Sequence, residues 1–83
     1  MRQIVEALKE MSGENVSIYT KHRLFGEQHI QMQFAPEVHL GLGFRCGEQS
    51  IYIDREDIVD YSIASKHLII NGKMMSIKIV KID

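Results

Sequence analysis

Beyond Gly13 the apolar residues of this chain recur at every second position, the spacing of a half-buried β-strand rather than a helix. Val16, Ile18 and Thr20 alternate with Ser17 and Tyr19, and Ile30, Met32 and Phe34 alternate with His29, Gln31 and Gln33. Before Gly13 the spacing is different. Ile4, Val5, Leu8 and Met11 fall on one helical face, and Gly13 stands where a helix C-cap belongs, so residues 2–11 are expected to form a short amphipathic helix. Ten residues do not hold a helix alone, so its apolar stripe must lie on the remainder of the chain.

Further strands are expected at residues 38–45, 50–54 and 58–63, with Pro36 ending the strand before them. Leu40, Leu42, Phe44 and Cys46 share one face of the 38–45 strand, and Gly41 and Gly43 on the other favour a sharp bend. Val59, Tyr61 and Ile63 share a face of the 58–63 strand. Asn71-Gly72 between two apolar runs is a strong hairpin signal, read as a two-residue type I′ loop with positive φ at both positions. That loop sets Ile70 opposite Lys73 and Leu68 opposite Met75, and leaves Leu68, Ile70, Met75, Ile77 and Ile79 on one face that must be buried. The alternation slips between Ile79 and Val80, the mark of a bulge or strand end. The fold class is therefore mainly β with one short N-terminal α-helix, a small strongly bent sheet or barrel over about residues 15–63, and a C-terminal β-hairpin over about 66–82. All 83 residues form one domain.

A chain this short buries only about 60% of its unfolded surface, so self-association as a dimer or ring is expected to supplement its core. Its single cysteine and the lack of a long apolar segment point to a soluble cytoplasmic protein with no membrane partner. The net charge of −1 argues against a protein that depends on a general attraction to phosphate. The distribution is polar, however. Asp54, Glu56, Asp57 and Asp60 outweigh Arg55, whereas Lys66, Lys73, Lys78 and Lys81 outweigh Asp83.

No catalytic or cofactor constellation is present in the sequence. His22, His29, His39 and His67 are irregularly spaced and match no zinc pattern, so no metal or cofactor is expected. Cys46 reads as a core thiol, and the Asp54–Asp57 carboxylates read as turn and cap residues. Gly41-Leu42-Gly43 lacks the lysine and following helix of a phosphate loop. The chain is not expected to be an enzyme.

The order of a short helix followed by five strands resembles the Sm-like fold, including its bacterial RNA-chaperone branch, over residues 1–63. The resemblance rests on Asn15-Val16-Ser17-Ile18-Tyr19 after the helix, on the glycine-bearing third strand, and on Ile51-Tyr52-Ile53-Asp54-Arg55-Glu56-Asp57-Ile58-Val59. Where that branch carries a Tyr-Lys-His type element this chain has Ile53-Asp54-Arg55, and the Arg-Gly pair of other Sm-like proteins is missing, as is their Asp and Asn pair before the third strand. The resemblance thus implies the fold with its usual RNA site altered, and with residues 66–82 as an addition.

The expected function is a non-catalytic protein-binding module, an adaptor or a small inhibitor of a larger macromolecular machine such as mobile elements carry. Its partner-binding residues are read as His67, Ile69, Met74, Ser76 and Lys78, the hairpin face opposite the apolar one, with the acidic turn of Asp54, Glu56, Asp57 and Asp60 as the alternative. A second reading is an Sm-like RNA binder using Tyr19, Lys21, His22, Arg23 and Tyr52. A third is capture of a small ligand or nucleotide between subunits.

Overall fold

The computed structural model describes residues 2–36, 42–46 and 49–82, with residues 42–46 and 49–52 described as backbone. Helix α1 (Arg2–Met11) is followed by β1 (Asn15–His22), β2 (Gly26–Gln33), β3 (Leu42–Cys46), β4 (Gln49–Ile53), β5 (Ile58–Ile63), β6 (His67–Gly72) and β7 (Met75–Lys81), with a short 3₁₀ turn at Arg55–Asp57. The fold is mainly β, as the alternation requires. Five strands form one open antiparallel sheet in the order β2-β1-β7-β6-β5, and β3 pairs with β4 as a separate hairpin. The expected face of Leu40, Leu42, Phe44 and Cys46 lies outside the described residues and side chains, as do His39, Gly41 and the side chain of Tyr52.

Strand register explains where the core sits. Ile30, Ile18, Ile79, Leu68 and Ile63 are successive partners across all five strands, and Gln28, Thr20, Ile77, Ile70 and Tyr61 form the neighbouring row on the same face. Side chains alternate between faces along a strand, so these rows make one inner layer. Ile4, Ala7, Leu8 and Met11 of α1 lie buried on it together with Phe34 and Ile53. The helix ends as its glycine indicates, because Gly13 adopts φ +86° and its N–H donates to the Phe34 carbonyl at 2.8 Å, which ties the helix end to the end of β2.

The C-terminal hairpin is not an appendage. β7 pairs with β1 on one side and β6 on the other, so residues 67–81 supply the middle of the sheet. The two-residue loop expected at Asn71-Gly72 is corrected by the observed register, in which Asn71 pairs with Ser76 and Ile70 with Ile77, leaving Gly72 to Met75 as the connection. Among the described residues no non-glycine residue has positive φ, and neither does Gly72. Asn71 instead donates from Nδ2 to Asp60 Oδ1 on β5 at 2.6 Å. The observed and expected registers differ by four residues, an even number, so the buried face survives: Leu68, Ile70, Ile77 and Ile79 are buried and Met75 packs against them.

Two other local expectations change. β7 runs to Lys81 without a shift, and Val80 simply occupies the outer face opposite Ser17 and His67. On β5 the bulge falls at Val59, because Ile58 pairs with Gly72 whereas Asp60 pairs with Asn71. Ile58 packs against the core, and Val59, the extra residue, is 64% exposed at the border of a hollow that Ile4, Ile58 and Tyr61 also line.

Gly72 is needed for a close approach rather than for a turn. A Cβ built there would stand 2.6 Å from Ile53 Cδ1 and 2.9 Å from the Met75 carbonyl oxygen. Gly72→Ala is expected to destabilise the fold by about 1–3 kcal/mol, the usual cost of overpacking. Denaturant unfolding should also show only partial recovery when Ile53→Val removes the side-chain clash, since the backbone contact remains.

Candidate docking surface

The outer face of the sheet is built from the complementary rows. His29, Tyr19, Lys78, Ile69 and Ser62 are successive partners, and so are Glu27, Lys21, Ser76, Asn71 and Asp60. Tyr19, Lys21, His29, Ile69, Ser76 and Lys78 of these rows line an open groove of about 350 Å³. Four of the five residues expected at a partner site, His67, Ile69, Ser76 and Lys78, therefore share this face. Met74 does not. It lies in the β6–β7 connection, because the register places that loop later in the chain than the Asn-Gly signal indicates.

The groove is largely self-satisfied. The Tyr19 and His29 rings stack at 4.2 Å with a 4° interplanar angle, and Lys21 Nζ lies 3.9 Å from Glu27 Oε1. An exposed ion pair of this kind adds little stability but offsets the charge of Lys21, leaving Lys78 as the other cation lining the groove. The residues read as an RNA site do not converge on it either. Tyr19 and Lys21 face the groove, His22 falls on the opposite face of β1, and Arg23 stands in the β1–β2 turn.

Two carboxylates of the acidic turn, those of Asp54 and Asp60, have structural roles, whereas Glu56 and Asp57 are exposed. Asp54 caps the 3₁₀ turn by accepting from the Glu56 N–H at 3.2 Å, the Asp57 carbonyl accepts from the Lys73 N–H at 2.9 Å, and Asp60 holds Asn71. Among the described residues no group of three His, Cys, Asp or Glu side chains is arranged to hold a metal ion. No helix among them is long and apolar enough to cross a membrane.

The two most exposed large apolar side chains among the described residues, Leu24 and Phe25, lie at one end of the sheet, with Met74 beside them. Leu24 and Phe25, in the β1–β2 turn, are 74% and 80% exposed, and Met74 in the β6–β7 connection is 41% exposed. The two turns are joined, since the Arg23 N–H donates to the Met74 carbonyl at 2.9 Å. His22 fixes the first of them: its Nδ1 accepts from the Leu24 N–H at 3.0 Å and the Phe25 N–H at 3.3 Å, and its ring lies 4.6 Å from that of Phe25. An accepting Nδ1 leaves the ring proton on Nε2. Gly26 supplies φ +83° where the chain turns into β2. Between the turns and the 3₁₀ segment lies a hollow of about 720 Å³ bordered by His22, Phe25, Ile53, Asp57, Gly72 and Met74.

Leu24 and Phe25 escape a reading built on periodicity because they belong to no strand. The available signal was chemical, two bulky apolar residues directly before a glycine in a turn where polar residues are the rule. Comparison with protein-family models, with curated proteins and with solved structures returned no match.

Replacing the turn acceptor tests how firmly this end is held. His22→Ala leaves two N–H groups to water and is expected to cost about 0.5–1.5 kcal/mol, the net worth of a typical hydrogen bond. Amide exchange at Leu24 and Phe25 should accelerate markedly while that at Ile18 changes only with global stability.

Proposed function

We propose that this protein is a non-catalytic docking module that engages another protein through the apolar end of its sheet, acting as an adaptor or inhibitor. The observation that supports this reading is the pairing of high exposure with fixed geometry at Leu24 and Phe25. Large apolar side chains held in water are unfavourable unless something covers them, and a turn ordered before contact loses less entropy on binding. Met74 widens the patch, and a methionine adapts its shape to an irregular partner. Arg23, Lys73, Asp54 and Asp57 surround the apolar groups with both signs of charge, a rim suited to a protein surface rather than to a polyanion.

The groove of Tyr19, Ile69, Ser76 and Lys78 then serves as a polar flank of the same contact, contributing orientation more than affinity. Side chains that anchor an interface typically cost about 2 kcal/mol or more when truncated. Leu24→Ser with Phe25→Ser is accordingly expected to weaken partner binding by at least about 30-fold, with the melting curve unchanged because both residues are exposed. Affinity capture from native lysate, quantified by mass spectrometry against wild type and against Ile69→Ser with Lys78→Ala, checks this. Depletion of partners by the turn variant supports the reading. Undiminished partners, or recovery of nucleic acid with the wild type and its loss on Lys21→Ala, would support the RNA alternative or the groove instead.

A further inference from the structure

Among the described residues the five-stranded sheet ends in two open edges that are defended very differently. β2 presents Glu27, Gln28, His29, Gln31 and Gln33 exposed, with Ile30 and Met32 half-buried, so its edge is polar along its length. β5, by contrast, pairs only with β6 and reads Ile-Val-Asp-Tyr-Ser-Ile: its bulge at Val59 and its charge at Asp60 lie in the first half, and Tyr61 to Ile63 form a regular stretch with no charge or proline to discourage another strand. Tyr61 and Ile63 belong to the inner layer and remain 40% and 44% exposed, although α1 approaches β5 here and Gln3 Oε1 accepts from the Tyr61 hydroxyl at 3.0 Å.

The direction of the backbone groups follows from the β5–β6 turn. The Ala64 N–H donates to the His67 carbonyl at 2.9 Å, which makes that pair a hydrogen-bonded one. Hydrogen-bonded and non-hydrogen-bonded pairs alternate along an antiparallel ladder, so Ser62 and Asp60 also bond toward β6 while Tyr61 and Ile63 direct N–H and C=O to the open side. Four backbone groups and two half-exposed inner-layer side chains thus belong to the same two residues.

We infer that β5 is a self-association edge, at which a second copy of this chain adds its own β5 antiparallel about a two-fold axis through Ser62. In that register Tyr61 of one copy bonds Ile63 of the other, and the relation is reciprocal, as an isologous contact requires. The inner layer continues across the junction with aromatic against β-branched side chains, a favourable cross-strand pair. Asp60 falls opposite Ala64, which keeps the two carboxylates apart. A register centred on Tyr61 brings them closer, with Asp60 opposite Ser62. The surface is separate from the apolar end, so dimerisation leaves Leu24, Phe25 and Met74 free.

Two measurements test this on the full chain. Sedimentation velocity at tens of micromolar should give the mass of two chains for wild type and of one chain for Ile63→Lys, which places a charge in the junction. Ser62→Cys should form a disulfide between copies under mild oxidation, located by peptide mapping so that links through Cys46 are counted separately. Residues facing each other in a non-hydrogen-bonded antiparallel pair have Cβ atoms close enough to be joined by a modest adjustment. Gln31→Cys on the β2 edge is the control and should cross-link far more slowly. The inference is overturned if wild type sediments as a single chain, if Ile63→Lys remains dimeric, or if the Gln31→Cys variant cross-links as fast as the Ser62→Cys variant. Should Ile63→Lys fail to fold, the comparison of the two cysteine variants decides alone.

Discussion

The pairing of β1 with β7, strands separated by most of the chain, is the contact on which the rest of the fold depends. It sets Ile18 against Ile79 and Thr20 against Ile77, and thereby completes the inner layer on which α1 lies. Ile18 and Ile79 are both buried, and truncating a buried isoleucine to alanine costs about 2–5 kcal/mol. A whole small domain is stable by only about 5–15 kcal/mol, so the junction of these two strands accounts for a large share of what keeps the chain folded. The same pairing brings the β1–β2 turn beside the β6–β7 connection. Without it the Arg23 to Met74 hydrogen bond cannot form, and the apolar end is not assembled.

The faces of the strands were legible in the sequence because a period of two is a local property. Leu68, Ile70, Ile77 and Ile79 could be placed together with no knowledge of which strand lies next to which, and an error of four residues in register left them together. The register was not legible. Asn71-Gly72 has the composition of a tight turn, yet both residues answer to tertiary neighbours: Asn71 to Asp60, and Gly72 to Ile53 and the Met75 carbonyl. The first part of β2 was missed for a related reason. An edge strand exposed on its outer face needs no apolar residue at Gly26 to Gln28, and pairing with β1 alone holds it in place.

The site shows the same division. His67, Ile69, Ser76 and Lys78 could be assigned to one surface by alternation, whereas Met74 could not, because its placement depends on the loop. Leu24 and Phe25 stand outside any periodic pattern, and only the fold reveals that His22 holds them and that Met74 lies alongside. The Sm-like resemblance spans residues 1–63 and treats the remainder as an addition, but in this chain strands β6 and β7 separate β5 from β1 and carry a large part of the buried aliphatic rows.

The central claim is that residues 67–81 are the keystone of both the core and the candidate docking surface. It is tested most directly by the equilibrium unfolding of a chain ending at residue 65, followed by circular dichroism and amide exchange. Removing β6 and β7 deprives β1 of one partner strand and exposes the inner layer at Val16, Ile18 and Thr20. The account predicts no cooperative transition and no protected amides in β1. A cooperative transition, with β1 amides still protected, would show that residues 1–65 fold by themselves and would contradict it.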